Sequence, residues 1–171
     1  MKAGDNIQNS KMALWYVLHV RPRCEKKIAK YCDSTNLENY LPLSTEHKVY
    51  QRRKVDVLKP LFPGYVFAKF SALQRILVLK SQQIVRILPV KDQASLIDEL
   101  RQIRKALEID PCLNACPAVE KGTLVRVVHG PFQGLEGMVS TLKNQTRVVL
   151  NVDIIGKGVP LEIDLDLVER L

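Results

Sequence analysis

At 171 residues the chain has room for one ordinary domain or two small ones. A composition of 46% hydrophobic and 26% charged residues excludes a disordered chain. No apolar run approaches bilayer-spanning length, and the polar stretch Met1–Lys11 lacks the apolar core of a signal peptide, which excludes a membrane partner or an export signal and predicts a cytoplasmic protein with residues 1–13 as a disordered tail. The net charge of +8 is uneven: residues 1–108 carry 20 Lys and Arg against 10 Asp and Glu, residues 109–171 carry 6 against 8. An anionic polymer would therefore meet the first part of the chain, unless the excess serves solubility alone.

In chain order, Leu14–Val20 reads as a buried strand ended by Pro22, a residue suited to the start of a helix. The helix is expected from Arg23 to about Asn36. At about 100° per residue, Arg23, Lys26, Lys27 and Lys30 share one arc, while Cys24, Ile28, Tyr31 and Cys32 share another. Four like charges at this spacing repel one another, and a solvated face ordinarily mixes signs, as Glu25 alone does here. The stripe reads as a phosphate contact, with a solvated face as the plainer alternative. Tyr40–Leu43 is a short strand interrupted by Pro42, and residues 46–58 read as an extended hairpin whose exposed tip carries Lys48, Arg52, Arg53 and Lys54.

Pro63-Gly64 is turn chemistry, since Pro presets its own φ and Gly accepts a positive one. A strand over Tyr65–Phe70 follows, then a helix over 72–80, a strand over 84–88 closed by Pro89, and an amphipathic helix over 93–108 that turns Leu96, Leu100, Ile103 and Leu107 to one side. This order predicts an α+β class: a ferredoxin-like α/β sandwich with an antiparallel sheet over 14–108. Residues 109–119, with Pro111 and Pro117, read as a linker. Five short β-rich runs over 124–128, 137–141, 147–152, 159–164 and 167–169 predict a small five-stranded SH3-like β-barrel spanning 120–171.

Catalytic motifs are missing, with no P-loop, G-x-S-x-G, H-E-x-x-H or G-x-G-x-x-G, so the chain is not expected to be an enzyme or to need a cofactor. His19, His47 and His129 have no metal-ligand spacing. Glu162, Asp164 and Asp166 alternate with apolar residues as on a strand with one wet face. Cys24, Cys32, Cys112 and Cys116 miss the C-x2-C geometry of zinc sites and read as free thiols, the first two as small core residues. No metal is expected. Phe62, Tyr65 and Phe67 form either a core corner or an exposed aromatic docking face.

Three segments carry a family resemblance: Trp15–Val20 leading into Arg21-Pro22-Arg23-Cys24-Glu25-Lys26-Lys27, then Leu61–Phe67, then Lys121–Val127 followed by Gly130-Pro131-Phe132-Gln133-Gly134-Leu135-Glu136-Gly137. In this order and spacing the chain resembles NusG-type transcription elongation factors, with an N-terminal NGN domain and a C-terminal KOW domain. The Arg-Pro-Arg-x-Glu-Lys-Lys stretch most resembles the operon-specific paralogues of the UpxY and RfaH kind. The resemblance implies binding to the RNA polymerase clamp helices through His19, Phe62, Tyr65 and Phe67, with Trp15 beside them. It implies contact of Arg21, Arg23, Lys26, Lys27 and Lys30 with upstream and non-template DNA, and no match to the His-Thr-Thr element of RfaH lies between Ser71 and Lys80. The hairpin residues Arg52, Arg53 and Lys54 are the candidates for a second contact. Phe132, Ile155 and Lys157 would meet a small-subunit ribosomal protein or the Rho terminator. The implied activity is suppression of pausing and termination by a monomer at particular operons, such as those for surface polysaccharide. A general NusG-type factor and a KOW RNA-binding or ribosome-associated module are the alternatives.

Overall fold

The computed structural model describes residues 12–142 and 145–171. Most of the expected tail lies outside them. The chain divides into two compact units, one comprising the chain up to Leu41 with Phe62–Gln93, the other Pro42–Leu61 with Ala94–Leu171. The second unit thus takes in the hairpin and the long helix, which the sequence reading grouped with residues 14–108.

The first part of the chain forms β1 (Leu14–Val20), α1 (Glu25–Ser34), β2 (Glu38–Tyr40), β3 (Leu43–Tyr50), β4 (Arg53–Pro60), β5 (Tyr65–Phe70), α2 (Arg75–Lys80), β6 (Ile84–Pro89) and α3 (Gln93–Ile109). In the first unit four strands form an antiparallel sheet in the order β2-β5-β1-β6, the arrangement of a ferredoxin-like sandwich. Strand alternation sends Leu18 and Val20 to one face, where they meet Val66, Ala68 and Phe70 of β5. Ile28 and Cys32 of α1 and Val78 of α2 close this core. Tyr16 stacks on Phe70 with ring centroids 4.4 Å apart. The helix predicted from Arg23 starts at Glu25 instead. Cys24 N donates to Arg21 O at 3.1 Å, and Arg23 takes a left-handed φ of 64°, so Pro22 and Arg23 make a turn before the helix begins.

In the second unit β3 and β4 pair from Leu43↔Pro60 to Tyr50↔Arg53 around a tip of Gln51 and Arg52. The hairpin is longer than predicted, because Leu61 N still donates to Pro42 O at 2.8 Å beyond the last ladder pair. Helix α3 buries Leu96, Leu100, Ile103 and Ala106, whereas the predicted Leu107 is half-buried. The remaining strands are β7 (Cys116–Pro117), β8 (Leu124–Val127), β9 (Glu136–Leu142), β10 (Gln145–Val152), β11 (Lys157–Leu161) and β12 (Val168–Arg170). They form a six-stranded sheet in the order β12-β8-β9-β10-β11-β7. Its sixth strand comes from the expected linker, where Cys116 and Pro117 pair with Gly158 and Lys157. Val125, Val127, Val149, Val159 and Leu161 are buried in this small β domain. An added Cβ on Gly137 would fall 2.7 Å from Val149 O, so the close approach of β9 to β10 needs glycine there.

The predicted wet-faced strand over Glu162, Asp164 and Asp166 does not form. Strand β11 ends at Leu161, and Leu165–Leu167 closes a 3-10 turn in which Leu167 N donates to Asp164 O at 3.0 Å. A short acidic residue that favours turns outweighs the alternating pattern here. Among the described residues, no helix is long and apolar enough to cross a membrane, and no three His, Cys, Asp or Glu side chains are grouped to hold a metal ion.

Candidate protein and nucleic-acid interface

Tyr65 N donates to Phe62 O at 3.2 Å, with Pro63 and Gly64 as the corner residues and Gly64 at a φ of 86°. This is the geometry for which Pro followed by Gly is the favoured pair. The turn is tied down on both sides of Gly64. Its carbonyl accepts from Val20 N at 2.8 Å, and its amide donates to the Glu25 carboxylate at 2.8 Å. Glu25 is buried although it sits inside the basic run. It joins the first turn of α1 to the aromatic segment.

The turn delivers Tyr65 opposite His19, and the β1–β6 register places Arg86 on the other side of His19. Tyr65, His19 and Arg86 therefore form one row across three strands on the sheet face turned away from α1 and α2. The His19 and Tyr65 rings stack with centroids 5.3 Å apart and planes at 25°. Both are half-buried, and Arg86 is exposed. The next row inward contains Val17 and Phe67, which are fully buried. Phe62 is buried as well. Of the residues expected at a docking face, Phe62 and Phe67 have no exposed surface, and Tyr65 and His19 keep part of theirs. Trp15, named beside these residues, is half-buried, with its backbone bonded at both polar atoms to the Gln93 side chain.

Arg21, Arg23, Lys26, Lys27 and Lys30 are all exposed, as are Arg52, Arg53 and Lys54 at the hairpin tip. Cys24 is half-buried and donates to Gln83 Oε1 at 3.1 Å, so it is not the core residue expected, whereas Cys32 is buried and its thiol is pushed up to about 11, first by burial and then by the Asp33 charge. In the β domain Phe132 is half-buried and Lys157 exposed, whereas Ile155 is buried. One cleft of about 710 Å³ in the second unit is lined by Glu99, Glu120, Glu136 and Asp153 with no basic side chain, which disfavours phosphate there.

A family model described as "Transcription termination factor nusG" matches residues 13–105. The chain belongs to the NusG family. The "Transcription termination/antitermination protein NusG" of Rickettsia prowazekii (strain Madrid E) is 27% identical over 189 residues, covering 97% of this chain and 96% of the relative. The protein of the same description from Staphylococcus carnosus (strain TM300) is 25% identical over 180 residues, covering 92% and 95%. A solved structure described as "Domain interaction in Thermotoga maritima NusG" has a TM-score of 0.51 at 20% identity and covers 93% of this chain and 97% of that one, a likeness of fold. The chain is thus a NusG-type transcription termination/antitermination factor. The Tyr65–His19–Arg86 row and α1 both lie inside the matched 13–105 segment. Two residues of this row and the turn behind it escape sequence reasoning. Glu25 reads as a mixed-sign surface residue because its partner is 39 positions away. Arg86 becomes visible only through strand register.

Proposed function

We propose that this NusG-family chain docks on the RNA polymerase clamp helices through Tyr65 and His19, backed by the buried Phe62 and Phe67. Arg21, Arg23, Lys26, Lys27 and Lys30, with Arg86, then hold upstream and non-template DNA by phosphate contacts, which supply affinity without reading sequence. The observation that carries this reading is the half-buried aromatic pair set in a row with Arg86 and tied by Glu25 to the basic helix. A partner that binds the active polymerase better than the paused one suppresses pausing and termination by that difference. Arg52, Arg53 and Lys54 offer a second contact, and Phe132 with Lys157 offers one to a ribosomal protein or Rho. The functional partition is residues 14–108, a linker over 109–119, and 120–171, acting as a cytoplasmic monomer.

The basic run after β1 favours an operon-specific antiterminator of the UpxY and RfaH kind. The end-to-end match to proteins described as termination/antitermination NusG supports the second reading, a general factor. Binding of the full chain to core RNA polymerase tests the shared part. His19→Ala and Tyr65→Ala are each expected to weaken binding about tenfold, roughly 1.4 kcal/mol, with the circular dichroism spectrum unchanged. Undiminished binding in both folded variants would transfer the reading to an RNA-binding module. Transcription assays on surface-polysaccharide and unrelated operons then separate specialist from generalist.

A further inference from the structure

The hairpin and the segment after α3 assemble a polar cluster that the polymerase reading does not use. Residues 110–113 lie along β3. Thr45 N donates to Pro111 O at 2.7 Å, and the buried Ser44 hydroxyl donates to the Leu113 carbonyl at 2.5 Å. Between these two ties, Cys112 N donates to the Asp110 carboxylate at 2.9 Å. The backbone on both sides of Cys112 is therefore held in place. Its Sγ lies 3.3 Å from His47 Nε2, and His47 Nδ1 lies 2.6 Å from Asp56 Oδ1. His47 and Asp56 face each other directly across the β3–β4 ladder. An ionised carboxylate only accepts, so Asp56 places the proton of a neutral imidazole on Nδ1 and leaves Nε2 to accept from the thiol.

We propose that Cys112 is a modification site, a nucleophilic thiol that exchanges with small disulfides, with His47 as its proton acceptor and Asp56 as the residue that positions His47. The Cys112 proton passes to His47 Nε2, and the thiolate attacks one sulfur of the disulfide. The disulfide bond breaks, one half remains on Cys112 as a mixed disulfide, and the other leaves as a thiolate that takes the proton back from the imidazolium. The reagent is the oxidant, and its leaving half is reduced to a thiol. His47 and Asp56 are 66% and 67% exposed, so a small reagent reaches the cluster from solvent. The carboxylates of Asp56 and Asp110 beside it favour a neutral or cationic disulfide over an anionic one.

None of the other thiols is so placed. Cys32 is buried with its thiol pushed up to about 11, Cys24 donates to an amide oxygen, and Cys116 donates to the Pro117 carbonyl at 3.2 Å. Burial also raises the Cys116 thiol, outweighing the nearby charges of Arg147 and Lys157.

The test is the rate at which hydroxyethyl disulfide, a neutral reagent, modifies each cysteine of the native full chain near neutral pH, read by peptide mass spectrometry. Cys112 is expected to react about tenfold faster than Cys116 and than itself in urea. His47→Gln should remove that advantage, Asp56→Asn should reduce it, and Asp56→Glu should restore it in part. Equal rates for Cys112 in the native and unfolded chain would overturn the proposal, as would an unchanged rate in folded His47→Gln. The native-against-unfolded comparison needs no variant, so a misfolded variant does not leave the question open.

Discussion

The carboxylate of Glu25 and the backbone of Gly64 bear on a single turn from opposite directions. Replacing Glu25 with Ala leaves the Gly64 amide without its acceptor, a loss of about 1–3 kcal/mol. Replacing Gly64 with Ala brings a methyl group 3.6 Å from His19 Cδ2, an ordinary contact. Its penalty is the φ of 86°, which costs an L-residue about 1–2 kcal/mol. Urea unfolding should show a lower midpoint for each variant with an unchanged slope. The double variant should lose less than the two losses added, because both act on the same turn. The role of Gly64 is legible from the Pro63-Gly64 pair, since few other dipeptides suit that corner. Glu25 is not legible. Periodicity locates a residue around its own helix and carries no information about an amide 39 positions away.

At the scale of elements, the tip of the β3–β4 hairpin stores strain. Gln51 and Arg52 have φ of 48° and 65°, the signs required at both corners of a two-residue hairpin turn, for which Asn-Gly is the favoured pair. Changing Gln51 to Asn and Arg52 to Gly together should stabilise the fold by about 1 kcal/mol. Thermal or urea unfolding reads this directly, and a neutral or negative result would mean that the tip is held by something other than local backbone preference. Because no Asn-Gly marks the turn, the sequence predicts a hairpin over residues 46–58 from its extended, charged composition, and the three rungs beyond it were missed on that account: Leu43↔Pro60, Ser44↔Lys59 and Thr45↔Leu58. The ferredoxin-like class of the first sheet was legible because β1, β5 and β6 are apolar runs and α1 has a 3.6-residue repeat, whereas β2, Glu38-Asn39-Tyr40, has no apolar face and forms ahead of the strand expected over Tyr40–Leu43. The short β7 was not, since two residues containing a proline carry no strand period; their pairing depends on the edge that β11 presents.

For the molecule as a whole, the distribution of charge makes a quantitative claim. The 20 Lys and Arg of residues 1–108 outnumber 10 Asp and Glu, and the excess on and before α1 is exposed, while residues 109–171 carry more acid than base. If α1 holds phosphate, the affinity of the full chain for a duplex with an open bubble should fall with salt, since each neutralised phosphate releases counterion. Changing Lys26, Lys27 and Lys30 together to Gln should flatten the slope of log affinity against log salt by roughly 2–3. The change should be similar for unrelated DNA sequences, because phosphate contacts carry no base information. Changing Lys121 and Lys157 to Gln in the β domain should leave the slope as it was. A slope unmoved by the α1 changes would assign the basic helix to solvation. Equal effects from both sets of changes would mean that net charge, and no particular surface, governs DNA binding. Composition alone could not separate these outcomes, since it counts charges without showing that Glu25, the one acid within the basic stretch, is buried on a backbone amide and withdrawn from the surface.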